Sequence, residues 1–119
     1  MITKDDNIAI VGASANPDKY GYKVSKDLID KGYKVFLVNP HGGEILGRAV
    51  HQKISDIDAI IDAVVFVTQP TVTEQVLEEV KDKGIKKVWM QPGSESSDAI
   101  SFCKKNGIEC IHNACVMLH

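Results

Sequence analysis

At 119 residues, the chain is long enough to bury a core without disulfide or metal staples; its net charge is −2 and its sequence shows no basic stripe of the kind that grips nucleic acid. Apolar residues make up 44% and charged residues 25%, an ordinary globular balance, with no run of about 18 apolar residues to span a membrane. The three cysteines, Cys103, Cys110 and Cys115, are odd in number and lack C-x-x-C spacing, so reduced thiols are expected rather than a disulfide framework or zinc knuckle.

The polar start through Asp6 leads straight into a strand-like run and does not read as a signal peptide, so a cytoplasmic protein of one domain is expected. The first strand is predicted over Asn7–Val11, followed by a helix over Gly21–Lys31 with Val24, Leu28 and Ile29 at helical spacing. A second strand follows at Lys34–Val38. The stretch from His41 to Ile61 is less regular: Gly42-Gly43 make a turn, Ala49–Gln52 a short edge strand, and Ile54–Ile61 holds a helical turn. The next strand, Asp62–Val67, is apolar without alternation, as in a parallel sheet covered on both faces. A helix over Val72–Lys83 follows, and Thr71-Val72-Thr73-Glu74 after Pro70 reads as its capping box. A strand over Lys87–Gln91, a helix over Ser97–Asn106 and a last strand over Glu109–His112 complete the chain. Each helix ends at a glycine (Gly32, Gly84, Gly107) just before a strand, the punctuation of βαβ units. The fold class is therefore α/β, a Rossmann-like, doubly wound, mostly parallel sheet with helices on both faces. The strand Asp62–Val67 should pair with the first strand on the side away from Lys34–Val38, which makes a topological switch point there.

Ligands of such sheets bind outside the carboxyl ends of the strands. The residues leaving those ends are Gly12-Ala13-Ser14, Asn39-Pro40, Thr68-Gln69-Pro70, Gln91-Pro92-Gly93 and His112-Asn113. They are neutral hydrogen-bonders, better suited to holding a ligand than to moving protons. The stretch Gly12–Lys23 leaves a strand and enters a helix, where free N–H groups and the positive dipole end attract phosphate. Gly12 and Gly21 would let a ligand approach, Ser14 would donate to a phosphate oxygen, and Lys23, with Lys19 as a second candidate, would supply charge. This is not the dinucleotide fingerprint G-x-G-x-x-G: the second and third glycine positions hold Ser14 and Pro17, and Asn39 stands where NAD binders place an acid. No G-K-[ST] exists, which excludes a P-loop.

The ordered set Val11-Gly12-Ala13-Ser14 with Pro17, Gly21-Tyr22-Lys23-Val24, Gly32-Tyr33 and Val38-Asn39-Pro40 resembles the stand-alone CoA-binding domain family. That family is similar to the N-terminal domain of the succinyl-CoA synthetase α subunit. The likeness continues through Glu44-Ile45-Leu46-Gly47-Arg48, Val88-Trp89-Met90-Gln91-Pro92-Gly93 and Cys115-Val116-Met117, and so covers nearly all of residues 1–119. It implies a Rossmann-like fold that binds coenzyme A or an acyl-CoA. By that resemblance Gly12, Ala13, Ser14 and Lys23 meet the pyrophosphate, Asn39, Pro40, Thr68 and Pro70 line the adenosine end, and Gln91 and Gly93 lie along the pantetheine path. The family often carries a basic residue before the terminal cysteine, where this chain has Ala114.

Cys115 reads as an inert small residue, with mixed-disulfide formation on a thiol ligand as the sharper alternative. Cys103, Cys110, Phe66 and Trp89 read as core. Of the four histidines only His112 is placed at the site mouth, and no further ligands stand at spacings that suggest a metal. Tyr20 and Tyr22 flank Gly21 in the loop, and the run Glu78–Lys83 reads as a solvated helix face. The expected function is binding of a nucleotide cofactor, coenzyme A, without catalytic machinery. The alternatives are a CoA-ligase or acyltransferase component working with a partner subunit, and, with less support, an NAD(P)-binding protein. The expected partners are the small-molecule cofactor and a protein partner or second copy of the chain, with no nucleic acid and no membrane.

Overall fold

The computed structural model describes residues 2–119, and Met1 lies outside the described residues. Seven strands form one sheet in the order β3-β4-β2-β1-β5-β6-β7. They are β1 (Asn7–Val11), β2 (Lys34–Val38), β3 (Glu44–Ile45), β4 (Arg48–His51), β5 (Ala63–Phe66), β6 (Lys87–Met90) and β7 (Glu109–Ile111). Every neighbouring pair is parallel except β3 and β4, which form an antiparallel hairpin at the edge. The helices are α1 (Tyr20–Asp30), α2 (Pro70–Asp82) and α3 (Ser97–Lys105). No helix among the described residues is long and apolar enough to cross a membrane.

Alternation along the strands feeds two cores. Ala9 and Val11 of β1, Val64 and Phe66 of β5 and Val88 and Met90 of β6 pack under α2 and α3, against Leu77, Val80, Ala99 and Cys103. Ile8, Ile10, Ala63, Val65 and Trp89 face the other way, under Val24 and Leu28 of α1 and Val116 of the C-terminal segment. A strand apolar at every position is what a sheet covered on both faces requires, and each fully buried Leu, Val or Ile contributes about 1.5–3 kcal/mol relative to exposure. Because β2 and β5 flank β1, the chain reverses its course at β1, and the loops leaving the carboxyl ends of β1 and β5 diverge.

Several elements differ from the sequence reading, and α1 begins at Tyr20 rather than Gly21. Helix α2 begins at Pro70, with Gln69 as its N-cap and no side-chain cap, so Thr71–Glu74 is no capping box. Proline at the first helical position has its φ already set, and it starts the helix earlier. Glu74 instead accepts a hydrogen bond from the Ser96 hydroxyl at 2.6 Å, and Ser96 caps α3. The irregular segment holds β3, a two-residue strand with no readable periodicity, and a 3-10 turn confined to Ile54–Asp56. The helix ends agree with the reading: Gly32 and Gly84, both at positive φ, follow α1 and α2, and the Tyr33 and Ile85 amides reach back to the Leu28 and Val80 carbonyls in Schellman geometry.

Candidate functional site

The loop from β1 to α1 is shaped by two close backbone contacts. Gly12 has a φ of 100°, and a Cβ there would stand 2.1 Å from the Val67 carbonyl oxygen. A Cβ on Gly21 would stand 2.0 Å from the Gly12 carbonyl oxygen. The two glycines therefore let β5, the loop and the start of α1 stack backbone on backbone. Asn39 locks the arrangement from the side: its Nδ2 donates to the Ala13 carbonyl at 2.6 Å and its Oδ1 accepts from the His41 amide at 2.7 Å. The Gly12 and Ala13 amides donate to the Val38 carbonyl at 3.1 and 3.2 Å.

What the loop leaves open is a set of donors. The amides of Ser14, Ala15, Tyr20 and Gly21 have no hydrogen-bond partner among the described residues. Helix α1 has no acidic residue in its first turn and no side-chain N-cap, so its positive end is uncompensated. A cleft of about 330 Å³ opens in front of them, lined by Gly12, Ser14, Lys19, Gly21, Thr68 and Gly93 among others. The far wall is braced by buried Ser94, whose hydroxyl accepts from the Thr68 amide at 3.0 Å, while the Thr68 and Thr73 hydroxyls pair at 2.7 Å.

Two further cavities adjoin this cleft. An apolar slot of about 280 Å³ lies between Val11, Val38, Pro40, Ile54, Val72 and Val76, and shares Gly12 and Thr68 with the cleft. On the other side a narrower pocket of about 180 Å³ is lined by Tyr20, Gln91, Pro92 and Cys115, and shares Tyr20 and Pro92 with it. Together they form one path: apolar, then anion-attracting, then narrow.

The sequence model of the CoA-binding domain matches residues 6–119. The chain belongs to the CoA-binding domain family. It is 30% identical to the uncharacterized protein YneT of Bacillus subtilis over 116 residues, covering 98% of this chain and 86% of that protein. It is 42% identical over 88 residues to the alpha subunit of acetate–CoA ligase [ADP-forming] I of Pyrococcus furiosus, covering 69% of this chain but only 19% of that subunit. A conserved hypothetical protein of the same organism superposes with a TM-score of 0.90 at 42% identity, covering 95% of this chain and 97% of that one.

As a member of this family the chain brings together Gly12, Ser14, Gly21, Thr68 and Gly93 around the central cleft, with Pro40 in the apolar slot and Gln91 in the narrow pocket. Other predicted residues stand elsewhere. Lys23 lines a separate groove with Tyr22, Lys26 and Asp27, and its Nζ lies 5.4 Å from the Tyr20 ring centroid. Ala13 is buried, and its amide and that of Gly12 are already engaged. Asn39 braces the loop, Pro70 starts α2, and neither they nor His112 line the three cavities. Gln91 is buried and grips the C-terminal segment: its Oε1 accepts from the Val116 amide at 2.7 Å and its Nε2 donates to the Cys115 Sγ at 3.3 Å.

Cys115 is half-buried at the wall of the narrow pocket rather than enclosed in the core. Ala114 serves through its backbone, accepting from the Trp89 Nε1 at 2.8 Å, which needs no particular side chain. Cys103 and Cys110 face each other in the core; the Cys110 hydrogen bond and burial push the Cys103 thiol well above its ordinary range. The charge run on α2 is not wholly solvated, because Glu79 turns inward to the Ile54 amide and the Ser55 hydroxyl. Lys19 is the cleft lysine. Among the described residues no group of three or more His, Cys, Asp or Glu is placed to hold a metal ion.

Proposed function

We propose that residues 1–119 act as one unit that binds coenzyme A. The observation that carries this reading is the order of the three adjoining cavities. The apolar slot suits an adenine ring, the cleft with its free Ser14, Ala15, Tyr20 and Gly21 amides and Lys19 suits the pyrophosphate, and the narrow pocket suits the pantetheine arm. In this reading Pro40 and Thr68 line the adenosine end and Gln91 the pantetheine pocket, as the resemblance implies, while Gly93 lies at the pyrophosphate cleft instead. Gly12, Ala13, Asn39 and Pro70 shape the route through backbone packing and bracing rather than by presenting free groups to the coenzyme. The phosphate contact of Lys23 passes to Lys19. The thiol end comes to lie near Cys115.

The cleft pairs no acid with a base, which favours a protein that carries or presents the coenzyme. A second reading, a CoA-ligase component that works with a partner subunit, is supported by the 42% identity to the acetate–CoA ligase alpha subunit, of which this chain matches a fifth of the length. An NAD-binding role is disfavoured because that strand end carries an amide, Asn39, already bridging the Ala13 carbonyl and the His41 amide, where a ribose diol wants a carboxylate.

Isothermal titration with coenzyme A, NAD and NADP tests the reading. Coenzyme A binding well ahead of both dinucleotides is the expected result, with Lys19→Ala weakening it about tenfold and Lys23→Ala much less. Absence of heat with coenzyme A, or tighter binding of NAD, would refute it.

A further inference from the structure

The apolar slot beside Gly12 carries two charged side chains on its wall, Lys53 and Glu79. The Glu79 carboxylate is engaged at both oxygens. Oε1 accepts from the Ile54 amide at 3.2 Å, and Oε2 accepts from the Ser55 hydroxyl at 2.8 Å and the Ser55 amide at 3.4 Å. Its negative charge is thereby turned to holding the 3-10 turn. Lys53 lies in the connection between β4 and that turn, exposed, and its ammonium has neither a hydrogen-bond nor an ion-pair partner among the described residues. The neutral side chains of Gln52 and Gln75 complete the polar wall.

This rim has a sign. A nucleoside with a free 2′,3′-diol wants acceptors, usually a carboxylate, and the slot's one carboxylate, Glu79, is committed to the 3-10 turn. A nucleoside whose ribose bears a phosphate wants a cation, and the cation on the slot's wall is Lys53, while the Glu79 carboxylate is tied to the 3-10 turn. The ammonium is a point charge on a flexible stem, suited to a phosphate that stays partly in solvent.

Resting on the coenzyme A reading above, we propose that Lys53 is the specificity-determining residue that recognises the phosphate on the coenzyme's ribose. Lys53 then separates coenzyme A from ligands that share its adenosine and pyrophosphate but end in an unmodified ribose.

The test is titration of the full chain with coenzyme A and with dephospho-coenzyme A, which differ only in that phosphate, for the native chain, Lys53→Gln and Lys53→Arg. The native chain should favour coenzyme A by about tenfold at low ionic strength, and added salt should narrow the gap. Lys53→Gln should bring the ratio near one while dephospho-coenzyme A keeps its affinity, and Lys53→Arg should restore most of the preference. Equal native affinities, a preference that persists in Lys53→Gln, or equal loss of both ligands in that variant would overturn this inference and leave the coenzyme A reading standing. Failure of both ligands to bind the native chain would overturn the coenzyme A reading and this inference with it.

Discussion

Replacing Gly21 with alanine separates a packing glycine from an ordinary helical one. In an unhindered helix the change stabilises by about 1 kcal/mol, because alanine has the higher propensity. At Gly21 the new methyl would stand 2.0 Å from the Gly12 carbonyl oxygen, inside the 3.0 Å below which something must shift. The atoms it meets are backbone, so α1 has to retreat from the loop by about 1 Å. Forcing a methyl into such a contact costs about 1–3 kcal/mol, and with no flexible side chain to give way the upper end applies. The net loss is about 2 kcal/mol. For 119 residues the unfolding entropy is about 0.25 kcal/mol per kelvin, so the midpoint should fall by about 8 °C. The same retreat parts the Tyr20 and Gly21 amides from those of Ser14 and Ala15, so coenzyme A affinity should fall at least tenfold. Scanning calorimetry and titration calorimetry read the two effects. A midpoint that rises by a few degrees with affinity unchanged would refute the backbone-stacking account.

Asn39→Asp keeps an acceptor for the His41 amide but removes the donor that meets the Ala13 carbonyl at 2.6 Å. It should cost about 1–3 kcal/mol in thermal unfolding and confer no NAD binding; measurable NAD affinity would show that the position is free to serve a ribose. Gln91→Leu leaves the Val116 amide without its acceptor. Hydrogen exchange over 114–119 should accelerate, and emission from Trp89, whose Nε1 donates to Ala114, should shift to the red. Unchanged exchange would mean that other contacts hold the segment.

The βαβ framework was legible because its signals are local: short apolar runs, glycines after helices, and a β5 apolar at every position. A crevice beside β1 was legible from topology alone, since a switch point there leaves one whatever the loops contain. The starts of α1 and α2 were less legible: they lie at Tyr20 and Pro70, ahead of the predicted Gly21 and Val72, because neither start carries a side-chain cap. The work of Asn39 was hidden because its partner carbonyl lies 26 residues earlier, and an asparagine at a strand end reads equally as ligand or brace. The inward turn of Glu79 depends on a residue 25 positions away, and no periodicity records it. Gly12 and Gly21 stood out in the sequence, but for ligand approach rather than for their contacts with Val67 and with each other.

The central claim is that the coenzyme crosses the loop on the amides the fold leaves unpaired. Amide NMR of the 15N-labelled chain titrated with coenzyme A addresses it most directly. The account predicts the largest shifts at Ser14, Ala15, Tyr20 and Gly21, with Gly12 and Ala13 moving little because they remain bonded to Val38. Shifts centred away from this loop, or none at saturating coenzyme, would contradict it.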